Sequence, residues 1–195
     1  LVVEQAAESV IITDPDGCIE YVNPAFERLT GYTRAEAVGR KPSILKSGQQ
    51  GQAFYQHLWQ TVLKGDIFTG TLVNRKKDGE LFYEDKVITP LKDEQGHIRH
   101  FVSTGRNITE RVKAEEARAQ LAAILEATTD LVAILDLGGC LRYLNNAGYR
   151  LLGLDPKTDI SKVCLTELFP ERIEHQLKNE ALPIAYRTGT WSGET

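Results

Sequence analysis

The apolar residues of this chain change period several times, and each change marks an element. Val10-Ile11-Ile12-Thr13 is a β-branched run and predicts a strand. Asp14-Pro15-Asp16-Gly17 predicts a turn, because proline presets φ and glycine accepts a positive one. Cys18 to Val22 predicts the return strand of a hairpin. Asn23-Pro24 then predicts a helix start, with Asn23 as the N-cap and proline in the first turn. Ala25, Phe26 and Leu29 supply its apolar face, Gly31 closes it, and Thr33-x-x-Glu36 has the spacing of a capping box for the next helix. Ala53 to Leu63 carries Phe54, Leu58 and Val62, with Tyr55 and Trp59, at helical spacing. Three strands follow at Phe68–Lys76, Leu81–Leu91 and Ile98–Asn107, separated by turns at Lys77-Asp78-Gly79 and Lys92–Gly96. The predicted order is two strands, helices, then three strands. That order describes an antiparallel sheet with helices on one face, an α+β architecture.

The beginning of this pattern occurs twice. Residues 8–32 read ESVIITDPDGCIEYVNPAFERLTGY, and residues 130–154 read DLVAILDLGGCLRYLNNAGYRLLGL. Val10, Asp14, Gly17, Cys18, Tyr21, Asn23 and Gly31 recur, without a gap, as Val132, Asp136, Gly139, Cys140, Tyr143, Asn145 and Gly153. Two long copies imply a doubled fold unit rather than a solenoid. Between them, Glu110 to Ala127 lacks glycine and proline and predicts one helix. Ala114, Ala117, Leu121, Ile124 and Thr128 alternate at spacings of three and four. Such a stripe fits either a seam with a second helix or packing on the first unit's own core. The expected organisation is a first domain over residues 1–109, a connecting helix over 110–127, and a second domain over 128–195. Thr190-Trp191-Ser192-Gly193-Glu194 resembles Ile67-Phe68-Thr69-Gly70-Thr71, the start of the third strand. The second unit is therefore expected to be truncated, with an unpaired sheet edge. The chain starts at Leu1 and contains no methionine, so it is read as a piece of a longer protein.

Composition narrows the function classes. Apolar residues make up 42% and charged residues 26% of 195 residues, enough to build two small cores. A net charge of -4 does not favour nucleic acid or an anionic membrane as partner. No apolar run approaches the roughly 20 residues of a membrane span, so no membrane contact is expected of this region. Cys18, Cys140 and Cys164 form no C-x-x-C pair. Their spacing suggests neither a disulfide framework nor a metal site, and a reduced, cytoplasmic setting is expected. No phosphate-binding loop and no nucleophile elbow occurs, so no catalytic residue is assigned and the region is not expected to be an enzyme.

The motifs carry a family resemblance. Ile11-Thr13-Asp14 with Gly17, Tyr21-x-Asn23-x-Ala25-Phe26, Thr30-Gly31-Tyr32, Gly39-Arg40, Trp59, Asn74-Arg75-Lys76-Lys77-Asp78-Gly79, Pro90 and Asn107-Ile108-Thr109-Glu110-Arg111 stand in the order of the PAS family. The chain resembles two PAS folds in tandem, each a five-stranded antiparallel sheet with flanking helices, joined by a helix. That resemblance implies the sensory input region of a signalling protein: a histidine kinase, a diguanylate cyclase or phosphodiesterase, or a transcription regulator. The partners it implies are a second copy, through the PAS modules or the connecting helix, and a C-terminal output domain.

Three occupants of the first module follow from the resemblance. The first is flavin, FAD or FMN, as in PAS modules of the NifL type and in LOV modules. On this reading Asn74, Trp59, Glu84 and Asn23 are the cofactor-binding residues. Asn74 matches an asparagine that bonds the ring edge, and Glu84 stands where LOV modules place a second polar ring contact. Pro42 replaces the photoactive cysteine of LOV modules, so cysteinyl-adduct photochemistry is not expected. It also replaces the carboxylate of the NifL type. The second occupant is haem, for which His57 lies one turn beyond the expected ligand position and no metal ligand is assigned. The third is no cofactor, with the tandem acting as a dimerisation or interaction scaffold. Where the pocket senses a change, Asn107, Ile108 and Thr109 are expected to relay it from the last strand to the connecting helix. The second module, with Gly148 for Phe26 and Leu154 for Tyr32, is expected to serve as a relay or in dimerisation.

Overall fold

The computed structural model describes residues 3–136, 138–164, 168, 171–189 and 191–192. The chain separates into two compact units, Leu1–Glu115 and Glu116–Thr195, and the division falls inside the long helix α4, Thr109–Ala127.

The first unit contains β1 (Ser9–Thr13), β2 (Ile19–Val22), α1 (Pro24–Thr30), α2 (Arg34–Ala37), a 3-10 turn (Pro42–Leu45), α3 (Gln52–Leu63), β3 (Phe68–Arg75), β4 (Leu81–Lys92) and β5 (Ile98–Asn107). The five strands form one antiparallel sheet in the order β2-β1-β5-β4-β3. This is the arrangement that the resemblance implies. Strand parity decides what faces the helices. Phe82, Glu84 and Lys86 of β4, Leu72 and Asn74 of β3, and Phe101 and Ser103 of β5 are all buried. Pro90 lies in β4 beyond its pairing with β3, which ends at Ile88. Its missing N–H therefore costs no ladder bond on that side. Each sheet edge is covered at one end. The Gly39 N–H donates to the Ile19 carbonyl and the Ile19 N–H to the Arg40 carbonyl along β2. On β3, Lys46 bridges Asn74, and the Ser47 hydroxyl donates to the Val73 carbonyl.

Local sequence explains the caps. The Asn23 side chain accepts from Phe26 N–H, and Gly31 ends α1 at φ 76°. Thr33 and Glu36 form the reciprocal capping box of α2. Two apolar clusters build the interior. One joins Ile11, Ile19, Val22, Phe26, Ala37, Leu45 and Phe82. The other joins Leu58, Val62, Phe68, Leu72 and Phe101 under α3.

In the second unit, β6 (Ala133–Leu135) and β7 (Leu141–Leu144) pair antiparallel, followed by α5 (Asn146–Leu152) and a 3-10 turn (Ile160–Lys162). Helical segments at Glu171–Gln176 and Leu182–Thr188 flank a π-turn at Leu177–Ala181. Gly148 stands where the first unit has the buried Phe26. A Cβ there would lie 2.3 Å from Leu144 Cδ1, so Leu144 already fills the space that a larger residue would need. The third strand expected from Thr190 falls largely outside the described residues, since 190 and 193–195 are not described.

The repeat is also a repeat of hydrogen bonds. Asn23 Oδ1 accepts from Val10 N–H at 2.9 Å and Phe26 N–H at 3.0 Å, while Nδ2 donates to Val3 O at 3.1 Å and Glu8 O at 2.9 Å. Asn145 Oδ1 accepts from Val132 N–H at 3.0 Å and Gly148 N–H at 2.9 Å, while Nδ2 donates to Leu125 O and Asp130 O, both at 2.9 Å. Each amide spends its full capacity joining the first strand, the helix start and the preceding segment.

One expectation is corrected. Cys140 and Cys164 form a disulfide, and only Cys18 is free. Their spacing in sequence gave no hint of it, because an isolated β-bridge between the two residues brings them together. Along the apolar stripe of α4, the two largest side chains stand open to solvent. Leu121 is 62% and Ile124 57% exposed. Among the described residues no helix is long and apolar enough to cross a membrane.

Candidate functional site

A cavity of about 420 Å³ lies in the first unit between α3, the 3-10 turn and the inner face of the sheet. That is within the roughly 300–1,000 Å³ of small-molecule sites. Its walls are mostly apolar: Ile11, Leu45, Leu58, Val62, Leu72, Ile88 and Phe101, drawn from both core clusters and the strands between them. Pro42, the first residue of the 3-10 turn, forms part of the wall, and no cysteine lines it. Trp59 closes one side. Its ring stands edge-on to Phe101 at 6.2 Å, and a Cβ on Gly17 would lie 3.2 Å from it, so the hairpin turn passes close beneath the indole. Trp59 is 41% exposed, which makes it a rim residue rather than a core one.

The polar groups of the cavity converge on β3, β4 and β5. Asn74 and Lys86 both line it and both are buried. They share one partner behind the wall: the Glu84 carboxylate accepts from Asn74 Nδ2 at 3.2 Å and from Lys86 Nζ at 3.1 Å. Glu84 is 1% exposed and is not a lining residue, which corrects its expected place on the ring. The reason is Gly105. A Cβ on Gly105 would lie 1.7 Å from Glu84 Oε1, so the glycine leaves a notch that the carboxylate occupies. Lys86, two residues along β4 and of the same parity, faces the cavity instead. Period-two parity puts Lys86 on the same sheet face as Glu84, and that much could be read from the sequence.

Two buried hydroxyls, Tyr55 Oη and Ser103 Oγ, line the cavity without a hydrogen-bond partner. Buried polar groups are normally paired, so these two mark where a ligand's polar atoms would go. Burial raises the Tyr55 phenol above its ordinary value, keeping it a neutral donor. Lys41 and Lys46 stand exposed at the rim, and the Lys46 ammonium lies 4.7 Å over the Tyr55 ring.

Asn23 is not in this cavity. Its amide is fully committed to the cap described above, which corrects its expected cofactor role. His57 is exposed, stands edge-on to Phe68 and does not line the cavity, so it is not placed to ligate a haem there.

The far end of β4 and β5 meets α4. Asn107 Oδ1 accepts from Thr109 N–H at 3.0 Å and from the Thr109 hydroxyl at 2.6 Å. That hydroxyl accepts from Tyr83 N–H at 3.0 Å, and Ile108 N–H donates to Tyr83 O at 2.9 Å. The joint is therefore tied to Tyr83, the neighbour of Glu84. Arg111 pairs with Asp85 at 3.3 Å and Lys113 with Glu80 at 3.2 Å, fastening the first turns of α4 to β4 and the turn before it.

Comparison with known proteins places this geometry. PAS domain family models match residues 7–110 and, separately, residues 119–184. The chain is similar to a nitrogen fixation regulatory protein of Klebsiella oxytoca, 36% identical over 125 residues, which cover 64% of this chain and 25% of that protein. It is also similar to blue-light-activated histidine kinase 1 of Erythrobacter litoralis, 31% identical over 140 residues, covering 68% of this chain and 39% of that protein. Among solved structures, the LOV domain of a blue-light-activated histidine kinase from Erythrobacter litoralis aligns with a TM-score of 0.51 at 29% identity. That alignment covers 54% of this chain and 99% of the LOV domain. An RNA-binding light-oxygen-voltage receptor aligns with a TM-score of 0.56 at 30% identity, over 63% of this chain and 35% of that one. The chain spans about a quarter of the length of the nitrogen fixation regulatory proteins it matches.

Proposed function

Because the chain belongs to the PAS domain family and carries two of its modules, we propose that it is the sensory input region of a signal-transduction protein whose first module responds to a flavin, FMN or FAD, held in the cavity. PAS modules are sensory rather than catalytic units, so the output chemistry belongs to another part of the parent protein. A histidine kinase, a diguanylate cyclase or phosphodiesterase, or a transcription regulator would each serve as that output.

The observation that carries the ligand reading is the cavity itself: apolar walls, Asn74 and Lys86 on one side, and two partnerless buried hydroxyls. A flat conjugated ring with heteroatoms along its edge suits such walls and donors. Asn74, Lys86 and Ser103 would hold the ring edge, Tyr55 would donate to it, and Trp59 would close over the open side. The rim lysines Lys41 and Lys46 suit a phosphate tail. A bound flavin supplies redox chemistry and visible absorption.

Signalling then runs through residues already tied together. A change in what Asn74 and Lys86 bond alters their hold on Glu84, whose carboxylate rests against Gly105 of β5. Two residues on, Asn107 organises the Ile108-Thr109 joint at the start of α4. Such coupling needs only about 1–3 kcal/mol. The exposed Leu121 and Ile124 support a second copy as the partner, pairing along α4.

The test is the absorption spectrum of the purified protein, repeated after incubation with FMN and FAD. Flavin bands are expected, and Asn74→Ala should weaken flavin affinity about tenfold, the worth of one buried hydrogen bond. Protein that neither carries nor takes up flavin would leave the scaffold reading in its place.

A further inference from the structure

The second unit contains a covalent bond that its fold does not require. In the first unit, the start of β2 is joined to the segment beyond α2 by the Ile19 N–H donating to Arg40 O at 2.8 Å. In the second unit, the start of β7 makes the matching bond, Leu141 N–H to Val163 O at 2.9 Å. One residue outward, the first unit has the unbonded Cys18 and Lys41, whereas the second has Cys140 and Cys164 joined as a disulfide. The same joint therefore forms once without a covalent link and once with one. Both bonded cysteines are only half-buried, so the bridge is not sealed in a core, and exchange proceeds by thiolate attack on such a sulfur.

The bond also sits where it can matter. Cys140 leads directly into β7. Three residues on, the Tyr143 hydroxyl donates to Glu126 Oε1 at 2.8 Å, and Asn145 Nδ2 donates to Leu125 O at 2.9 Å. The hairpin thereby grips the last turn of α4. The Tyr143 bond holds the Glu126 carboxyl below its ordinary value, so the grip is charge-assisted near neutral pH.

We propose that Cys140–Cys164 is a reversible thiol–disulfide exchange site, through which the cellular thiol pool sets how firmly the second unit holds the end of α4. Reduction breaks the Sγ–Sγ bond. Two electrons and two protons pass from a dithiol, or from two monothiols, to the two sulfurs, and the donor leaves as its own disulfide. Oxidation by a disulfide of the same class runs the exchange backwards. Because the first unit folds around the same joint without the bond, the reduced second unit keeps its fold and loses only the staple. This site does not depend on any ligand in the first unit, and the two proposals can fail separately.

The experiment equilibrates the whole chain in buffers of graded reduced-to-oxidised glutathione ratio, quenches with acid and counts maleimide-labelled cysteines by mass. The expected result is a reversible step from three labelled cysteines to one, both thiols disappearing together, with an unchanged far-ultraviolet circular dichroism spectrum. Cys18→Ser should keep the step, and Cys140→Ser or Cys164→Ser should abolish it. Hydrogen exchange of the β6 and β7 amides should rise at least tenfold on reduction, with β1 and β2 unaffected. Three labelled cysteines at every ratio would overturn the proposal, as would a bond that yields only together with the fold. Unchanged exchange in β6 and β7 would also overturn it, by removing the link to α4.

Discussion

Replacing Gly105 with alanine tests the contact on which signalling from the cavity depends. The new Cβ would lie 1.7 Å from Glu84 Oε1, 2.2 Å from Cδ and 2.7 Å from Cγ, so the carboxylate must leave its notch. Leaving breaks its bonds to Asn74 and Lys86, whose side chains lie within a wall that is 5–6% exposed. Two costs compete. Simple overpacking of a buried site costs about 1–3 kcal/mol. Separating a buried ion pair costs about 3–5 kcal/mol, because a charge is left without its partner. The second is larger and predicts a loss of about 3–5 kcal/mol for Gly105→Ala, a large share of the roughly 5–15 kcal/mol that stabilises a typical domain. The assay is urea unfolding of the whole chain, in a double-mutant cycle with Glu84→Ala. With the carboxylate gone, the alanine has room, and Gly105→Ala should cost less than about 1 kcal/mol, since a strand position with ordinary φ tolerates it. An equal cost in both backgrounds would show that Gly105 answers to something other than Glu84, and the proposed route from cavity to β5 would fall with it.

Other predictions follow from the same contacts. Asn23→Ala should destabilise the first unit by about 2–4 kcal/mol, since several backbone groups lose their partner. Ligand content per folded molecule should stay unchanged, and a selective loss of ligand would restore Asn23 to the binding site. The Glu36 carboxyl is held down to about 2 from an ordinary 4.5, first by its bond to Lys77 and then by the Thr33 N–H. A carboxyl depressed in the folded state stabilises it above the unfolded value. That contribution should fade as pH falls from about 4.5 towards 2. Carboxyl NMR titration reads this directly, and Lys77→Ala should move the Glu36 midpoint back up. Leu121→Glu with Ile124→Glu should convert a dimer to a monomer by light scattering. A wild-type chain that is monomeric at high concentration would remove α4 as a pairing surface.

The fold was legible because its signals are local. Strand alternation, the Asp14–Gly17 turn, the Asn23 and Gly31 caps and the glycine-free run before Ala127 each reflect short-range chemistry, and the elements lie within a residue or two of where those signals put them. The place of Asn74 on the cavity wall was signalled in the same way, by a motif. What remained hidden is what two strands decide together. Glu84 carries the motif position, but whether it or Lys86 faces the cavity depends on Gly105, a residue of a different strand more than twenty positions away. The disulfide was hidden likewise, since a bridge between Cys140 and Cys164 exists only once the chain has folded back on β7. Asn23 misled in the opposite direction. Its recurrence as Asn145 was visible, and a recurring N-cap is a structural signature before it is a binding one.

The paired asparagines also bear on how such proteins grow. Each grips the segment leading into its own unit largely through main-chain oxygens, helped by one tyrosine–glutamate hydrogen bond, Tyr21 with Glu4 and Tyr143 with Glu126. A clasp that reads backbone rather than side chains places few demands on whatever precedes it. Duplication can therefore copy a unit together with its own lead-in segment while leaving that segment's side chains free to diverge.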